Sequence, residues 1–204
     1  MHQVLDRFDE IAQEALRQSA AEVFLIERYF EFWHALKKRV GTAANFTGLS
    51  ELLFFRYLLF ALKAKGEDFC AVPSGSSGGT AYRGQSLLLT HDADISAHAD
   101  VPRMRTDIAI FTADSRKLVA AFEVKIYLSD RSVLDDLKLR FERLASSGSL
   151  LLAVLFEPQY QKELDAFCAE HPDQAFVLSK AGFTHRIGLS QVVDRIATHI
   201  TLPS

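Results

Sequence analysis

The sequence predicts a single α/β domain, and three observations carry that prediction. Apolar residues recur at helical spacing through the first forty residues. Two alternating runs, 104–111 and 118–128, precede an amphipathic stretch and a continuous apolar run at 150–156. No repeat, linker or low-complexity tract divides the 204 residues, a length that suits one domain with a sizeable core. With 49% hydrophobic and 24% charged residues, the composition excludes a disordered chain.

From His2 to Val40, the spacing of Leu5, Phe8, Ile11, Leu16, Val23, Phe24, Ile26, Tyr29, Phe30 and Trp33 predicts one long helix or two joined near Ser19, ended by Gly41. Lys37, Lys38 and Arg39 fall in its last turn, where cations suit the helix dipole. Ser50 is expected to cap a helix from Glu51 to Lys65, which Gly66 ends. A short strand is expected at Asp68–Pro73. The glycine-serine stretch 74–79 that follows lacks the GxxxxGK[ST] pattern of a phosphate cradle and reads as a connector. Gln85–Thr90 reads as a strand and 91–103 as a flexible acidic loop with His91 and His98. Strands Met104–Phe111 and Leu118–Leu128 then flank a turn at Thr112–Lys117. Val133, Leu134, Leu137, Phe141 and Leu144 mark a helix that stops at Gly148. A buried strand at Leu150–Phe156, a helix near Gln159–Glu170, a short strand at Ala175–Leu178 and an amphipathic helix at Ser190–Ile200 complete the chain. The organisation expected is a helical extension over 1–45, a core over 50–156 and a C-terminal helix-strand-helix over 157–204.

The formal net charge is −3, and no block of the sequence departs from neutrality by more than three charges. That excludes a broadly basic nucleic-acid binder, because non-specific duplex affinity comes from an excess of Lys and Arg over many phosphates. Any nucleic-acid contact must be local. Cys70 and Cys168 form no CxxC pair, which favours a reducing compartment. The start lacks a signal peptide, and the longest apolar stretch, Leu52–Leu62, is interrupted by Arg56 and too short for a bilayer. A soluble cytoplasmic protein without membrane association is expected.

The chemistry sits in the paired strands. Strand side chains alternate faces, so Glu123 and Lys125 share one face. With a three-residue loop at Asp114–Arg116, Asp107 stands opposite Glu123, Ala109 opposite Ala121, Phe111 opposite Val119 and Arg105 opposite Lys125. Thr106, Ile108 and Ile110 then meet Val124, Phe122 and Ala120 on the other face. Near the turn the charged face is apolar, unlike an exposed edge hairpin, so it is at least partly covered. Two carboxylates across a covered strand pair repel each other, and a divalent cation resolves the conflict. Mg²⁺ takes one or two carboxylates plus waters and phosphate oxygens. Lys125 is placed to position or help deprotonate an attacking water and to steady phosphate charge.

Asp107 followed by Glu123-Val124-Lys125 resembles the signature of the PD-(D/E)XK nuclease superfamily, the restriction-endonuclease-like fold. The family core of helix, three-strand meander, helix and fourth strand is similar in order to residues 50–156, about half of the chain. Thr106 stands where the family often has Pro. The resemblance implies a Mg²⁺- or Mn²⁺-dependent phosphodiester hydrolase acting on DNA, in which Asp107, Glu123 and Glu51 hold metal and the Val124 carbonyl adds a ligand. It also implies that the helix after the meander borders the site, where Lys138 would touch a phosphate. A first-turn Glu51 is equally what a helix dipole favours, and for Lys138 a solvated face is the preferred reading of the residues.

Two rivals stand beside this expectation. One is a catalytically inactive nuclease-like fold serving as a nucleic-acid-binding or protein-assembly module, with a homodimer through the N-terminal helices, whose aromatics Phe24, Tyr29, Phe30, Phe32 and Trp33 populate more than one face. The other is a Zn²⁺-dependent small-molecule hydrolase using His91, Asp92, Asp94, His98 and Asp100. That loop lacks the glycine and terminal glutamate of an EF-hand and the HExxH helix of a zinc hydrolase.

Overall fold

A computed structural model describes residues 2–40, 48–73, 80–99, 103–127, 130–157, 159–180 and 182–200. Gly41, the connector 74–79 and Asp100 lie outside the described residues. The chain begins with helices α1 (His2–Ala15), α2 (Ala21–Val40) and α3 (Gly48–Ala64). Strands β1 (Cys70–Pro73), β2 (Thr80–Arg83) and β3 (Leu87–Asp94) follow, then the one-turn helix α4 (Ser96–Ala99). Strands β4 (Arg105–Thr112) and β5 (Leu118–Tyr127) lead to α5 (Arg131–Ala145) and β6 (Leu150–Glu157). Helix α6 (Gln161–Glu170), strand β7 (Ala175–Ser179) and helix α7 (Leu189–Ala197) complete it.

The seven strands form one mixed sheet in chain order. β1 to β5 pair antiparallel, while β6 and β7 join parallel to β5. Parallel pairing needs a crossover, and α5 and α6 supply it. Even-numbered residues of β4, β5 and β6 such as Ile108, Phe122 and Val154 share a core with α1, α2, α3 and α7. Odd-numbered ones such as Ala109, Ala121, Leu151 and Leu155 share the other with α5 and α6. The result is three layers with an apolar core on each side of the sheet.

Helix α3 is apolar nearly all round, with Leu53, Phe54, Phe55, Leu58 and Leu62 fully buried, because it lies between the sheet and α1. Its end is fixed by Gly66, whose φ of 99° suits glycine, and by Glu67 N–H donating to the Leu62 carbonyl. The N-terminal helices share that core. The rings of Tyr29, Phe30 and Phe54 stand 4.9, 5.7 and 5.8 Å from that of Phe156 on β6. Asp9 of α1 makes a two-point ion pair with Arg56 of α3, whose guanidinium also donates to the Tyr82 hydroxyl. Glu22 of α2 is buried and accepts from Arg186 Nη2 at 2.6 Å and from Leu189 N–H at 3.0 Å, tying the N-terminal layer to the start of α7. Tyr29 is fully buried, and Phe24, Phe30, Phe32 and Trp33 pack against the chain's own core.

Several expectations are corrected. Ser50 lies inside α3, which starts at Gly48. The expected loop 91–103 is ordered in its first half, because His91 to Asp94 continue β3 and His98 lies on α4. A strand absent from the sequence reading, β2, pairs β1 to β3. Val119 does not face Phe111: it is the extra residue of a β-bulge, so Phe111 pairs with Leu118 and Val119 turns to the opposite core. Both cysteines are free, Cys70 exposed and Cys168 buried on α6. Among the described residues, no helix is long and apolar enough to cross a membrane.

Candidate active site

The β4–β5 ladder keeps the expected register at Ile108–Phe122, Ala109–Ala121 and Ile110–Ala120, and regular pairing stops there. Toward the start of β4, side chains replace the ladder. Asp107 Oδ2 accepts the Val124 N–H at 2.7 Å, and Thr106 Oγ1 donates to the Phe122 carbonyl at 2.9 Å. The β3–β4 ladder likewise passes from His91–Ile108 to Ala93–Thr106, skipping Asp92 and Asp107. Asp107 thus lies where pairing loosens on both its sides, with its carboxylate aimed at β5.

Lys125 joins the two carboxylates. Its Nζ donates to Glu123 Oε2 at 2.9 Å and to Asp107 Oδ2 at 3.4 Å. Glu123 is only 3% exposed, since α5 covers this face through Leu134, Leu137, Phe141 and Leu144. A second cation comes from α5, where Arg140 Nη1 lies 3.4 Å from Glu123 Oε1 and donates to the Arg105 carbonyl at 2.6 Å. Its Nε donates to Asp136 at 2.7 Å. The covered charged face that the alternation implies is therefore present, and Glu123 is its most enclosed member.

Burial and the nearby Glu123 and Glu51 charges push the Asp107 carboxyl up to about 6, against the opposing pull of Lys125 and the Val124 N–H. Burial alone would lower Lys125, but the Glu123 and Asp107 carboxylates hold it above its ordinary value. The ammonium is therefore a standing proton donor and not a resting base.

The remaining sequence candidates are placed as follows. Glu51, in the first turn of α3, lies with Oε2 3.4 Å from His91 Nε2 and acts on Asp107 through its charge. His91 Nε2 is buried without a hydrogen-bond partner. Val124 is buried toward α3 and contributes its N–H to Asp107. Lys138 sits on the flank of α5 opposite Arg140, because the two are about 200° apart around a helix axis and the core stripe lies between them. Arg140 is the α5 cation that reaches the carboxylates. The apolar spacing of Val133, Leu134, Leu137, Phe141 and Leu144 leaves Arg140 among the polar positions of its helix but gives no signal for which flank faces β4. Sequence reasoning also missed that Arg105 is clamped by the Asp92 carboxylate and carbonyl, with Nε to Oδ1 at 2.7 Å.

Among the described residues, no group of three or more His, Cys, Asp or Glu side chains is gathered to hold a metal. The donor set nonetheless suits a hard cation. Asp107 and Glu123 present oxygens from adjacent strands, the donor type that such an ion takes. No family model matches the chain, and no match was found among curated proteins or among solved structures.

Proposed function

We propose that the protein is a Mg²⁺-dependent phosphodiester hydrolase acting on DNA, on a core of the restriction-endonuclease-like kind. The observation that carries this reading is the convergence of Asp107, Glu123 and Lys125 within 3.4 Å contacts on one covered face at the end of a strand pair. The order α3, β3 to β5, α5, β6 supports the fold part of the reading. Asp107 and Glu123 would hold the ion, with Glu51 and the Val124 carbonyl as further donors. When bound, Mg²⁺ supplies Lewis-acid stabilisation of charge on the scissile phosphate.

The chain's own residues do the rest. Lys125 Nζ, beside both carboxylates, orients a water and donates toward a phosphate oxygen. Arg140 holds Glu123 Oε1 and the Arg105 carbonyl together, which fixes the Glu123 rotamer against β4. Helix α5 excludes solvent from Glu123, so the attraction between carboxylate and cation is weakly screened.

A second reading, a catalytically inactive nuclease-like fold used for nucleic-acid binding or assembly, is favoured by one observation: Lys125 and Arg140 both pair with Glu123, so two cations of the chain itself balance that carboxylate. One experiment separates the two. Glu123→Ala and Lys125→Ala, shown by circular dichroism to be folded, are assayed beside the parent on mixed DNA substrates with Mg²⁺. The hydrolase reading predicts a loss of about a hundredfold or more in each variant. Equal residual activity in all three proteins signals a contaminating nuclease and leaves the second reading.

A further inference from the structure

Beside the carboxylate cluster, between the open face of β2 to β4 and the one-turn α4, lies a cavity of about 490 Å³ that the proposed hydrolase chemistry does not use. Its volume falls within the roughly 300–1,000 Å³ of pockets that enclose a small molecule. The floor is apolar, with Leu88 and Phe111 nearly buried in it, and the Phe111 ring stands 5.5 Å from that of His98 at 39°. Phe111 lies against His98, so the part-exposed His98 ring is the one that offers a planar partner a stacking surface.

The rim carries Asp92, Asp94 and Arg105, each held in place. Asp92 Oδ1 accepts from Arg105 Nε, and Asp94 Oδ1 accepts from the Ser96 N–H at 3.0 Å and its hydroxyl at 2.6 Å. Ionised carboxylates are acceptors with several lone pairs, so one anchored oxygen leaves the other able to receive an N–H donor. Asp92 also has a φ of 51°, a left-handed conformation that a non-glycine residue keeps only when its surroundings over-determine it.

The cavity neighbours the site along β4. Arg105 lines it, and Asp107 follows two residues along the same strand, about 7 Å away at the rise of an extended chain. Arg140 bridges the two, since it donates to the Arg105 carbonyl and approaches Glu123.

Resting on the hydrolase reading, we infer that this cavity receives one unpaired base of the strand being cut, placed against the His98 ring with its N–H donors toward Asp92 and Asp94. Guanine fits best, because its pairing edge presents a ring N–H beside an amino group. The substrate class is then DNA with an unpaired or extrudable base next to the scissile phosphate.

Ala97 is exposed on α4 at the cavity's edge, so Ala97→Trp fills the mouth without touching the carboxylate cluster. The intact protein is titrated with a short single-stranded DNA containing one guanine, with the same strand abasic at that position, and with dGMP, while amide chemical shifts are followed. Mg²⁺-dependent cleavage of the two strands is measured in parallel. The guanine strand is expected to shift Thr90 and Ala93, to bind about tenfold more tightly than the abasic strand, and to lose that advantage in Ala97→Trp and in His98→Ala. Equal binding of the two strands, or an unchanged preference in Ala97→Trp, overturns the inference. So does dGMP binding as tightly as the guanine strand, which would make the cavity a free-nucleotide site. Guanine-dependent binding without Mg²⁺-dependent cleavage supports the cavity and removes the hydrolase reading; cleavage indifferent to the base does the reverse.

Discussion

Asp107 shows how a site of this kind weighs on the fold that carries it. Its carboxyl, raised to about 6 by burial and by the Glu123 and Glu51 charges, binds a proton more tightly in the folded chain than in the unfolded one. The sign follows from linkage: above about pH 6 the folded state holds an ionised Asp107 at a cost, and that cost is relieved as the pH falls from about 6 toward 4. In metal-free buffer at pH 7.5, Asp107→Asn is therefore expected to be more stable than the parent by about 1–3 kcal/mol. Its amide oxygen can keep the bond from the Val124 N–H. Chemical denaturation at pH 7.5 and pH 5 checks this, with the gap between the two proteins closing at the lower pH. A parent more stable than the variant at pH 7.5 would show that Lys125 fully offsets the repulsion.

Among the elements, the hairpin of β2 and β3 is where sequence reading fell short and where packing is least forgiving. Glu67 is buried, its Oε1 accepts the Ser86 N–H at 3.0 Å, and Oε2 has no hydrogen-bond partner. A Cβ at Gly84 would lie 2.0 Å from that Oε1 and 2.5 Å from the carboxyl carbon. Gly84→Ala should thus destabilise the protein by about 1–3 kcal/mol, read as a lower denaturation midpoint with an unchanged slope. The sequence around Gly84 has no strict alternation to announce a strand, and β2 is only four residues long, so the hairpin was not legible. The strands that carry the candidate site were. Alternation over 104–111 and 118–128 was strong enough to set the register from Ile108–Phe122 to Ile110–Ala120; it failed at Phe111, where the Val119 bulge follows from turn geometry, and the expected pairs at 105–107 are not ladder pairs because side chains replace the ladder there.

For the whole molecule, the N-terminal helices read from sequence as an extension, and their aromatics suit either a surface for a second copy or burial within the same chain. In the folded chain these residues close one of the two cores. Without α1 and α2 the all-round apolar α3 would face water, and Phe156 would lose its partners Tyr29 and Phe30. Glu22 links this layer to the C-terminal end of the chain, so Glu22→Ala is expected to cost about 2–3 kcal/mol by leaving Arg186 and the Leu189 N–H without their acceptor. Differential scanning calorimetry should show one transition moved to lower temperature. Two separated transitions would mean that the N-terminal layer unfolds by itself. Periodicity identified these helices correctly, but which of their faces the sheet covers depends on contacts more than a hundred residues away, as between Tyr29 and Phe156.

The near-neutral net charge acquires a meaning at this scale. A chain without a basic excess has little electrostatic grip on phosphate, so in the proposed hydrolase much of that grip falls to bound cations between Asp107 and Glu123. The most direct test is a crystal soaked in Mn²⁺ and measured at the manganese absorption edge. An anomalous peak is expected between the Asp107 and Glu123 carboxylates, with the Lys125 ammonium moved away from at least one of them. Lys125 still bonded to both carboxylates, with no peak at saturating Mn²⁺, would contradict metal-dependent hydrolysis at this site.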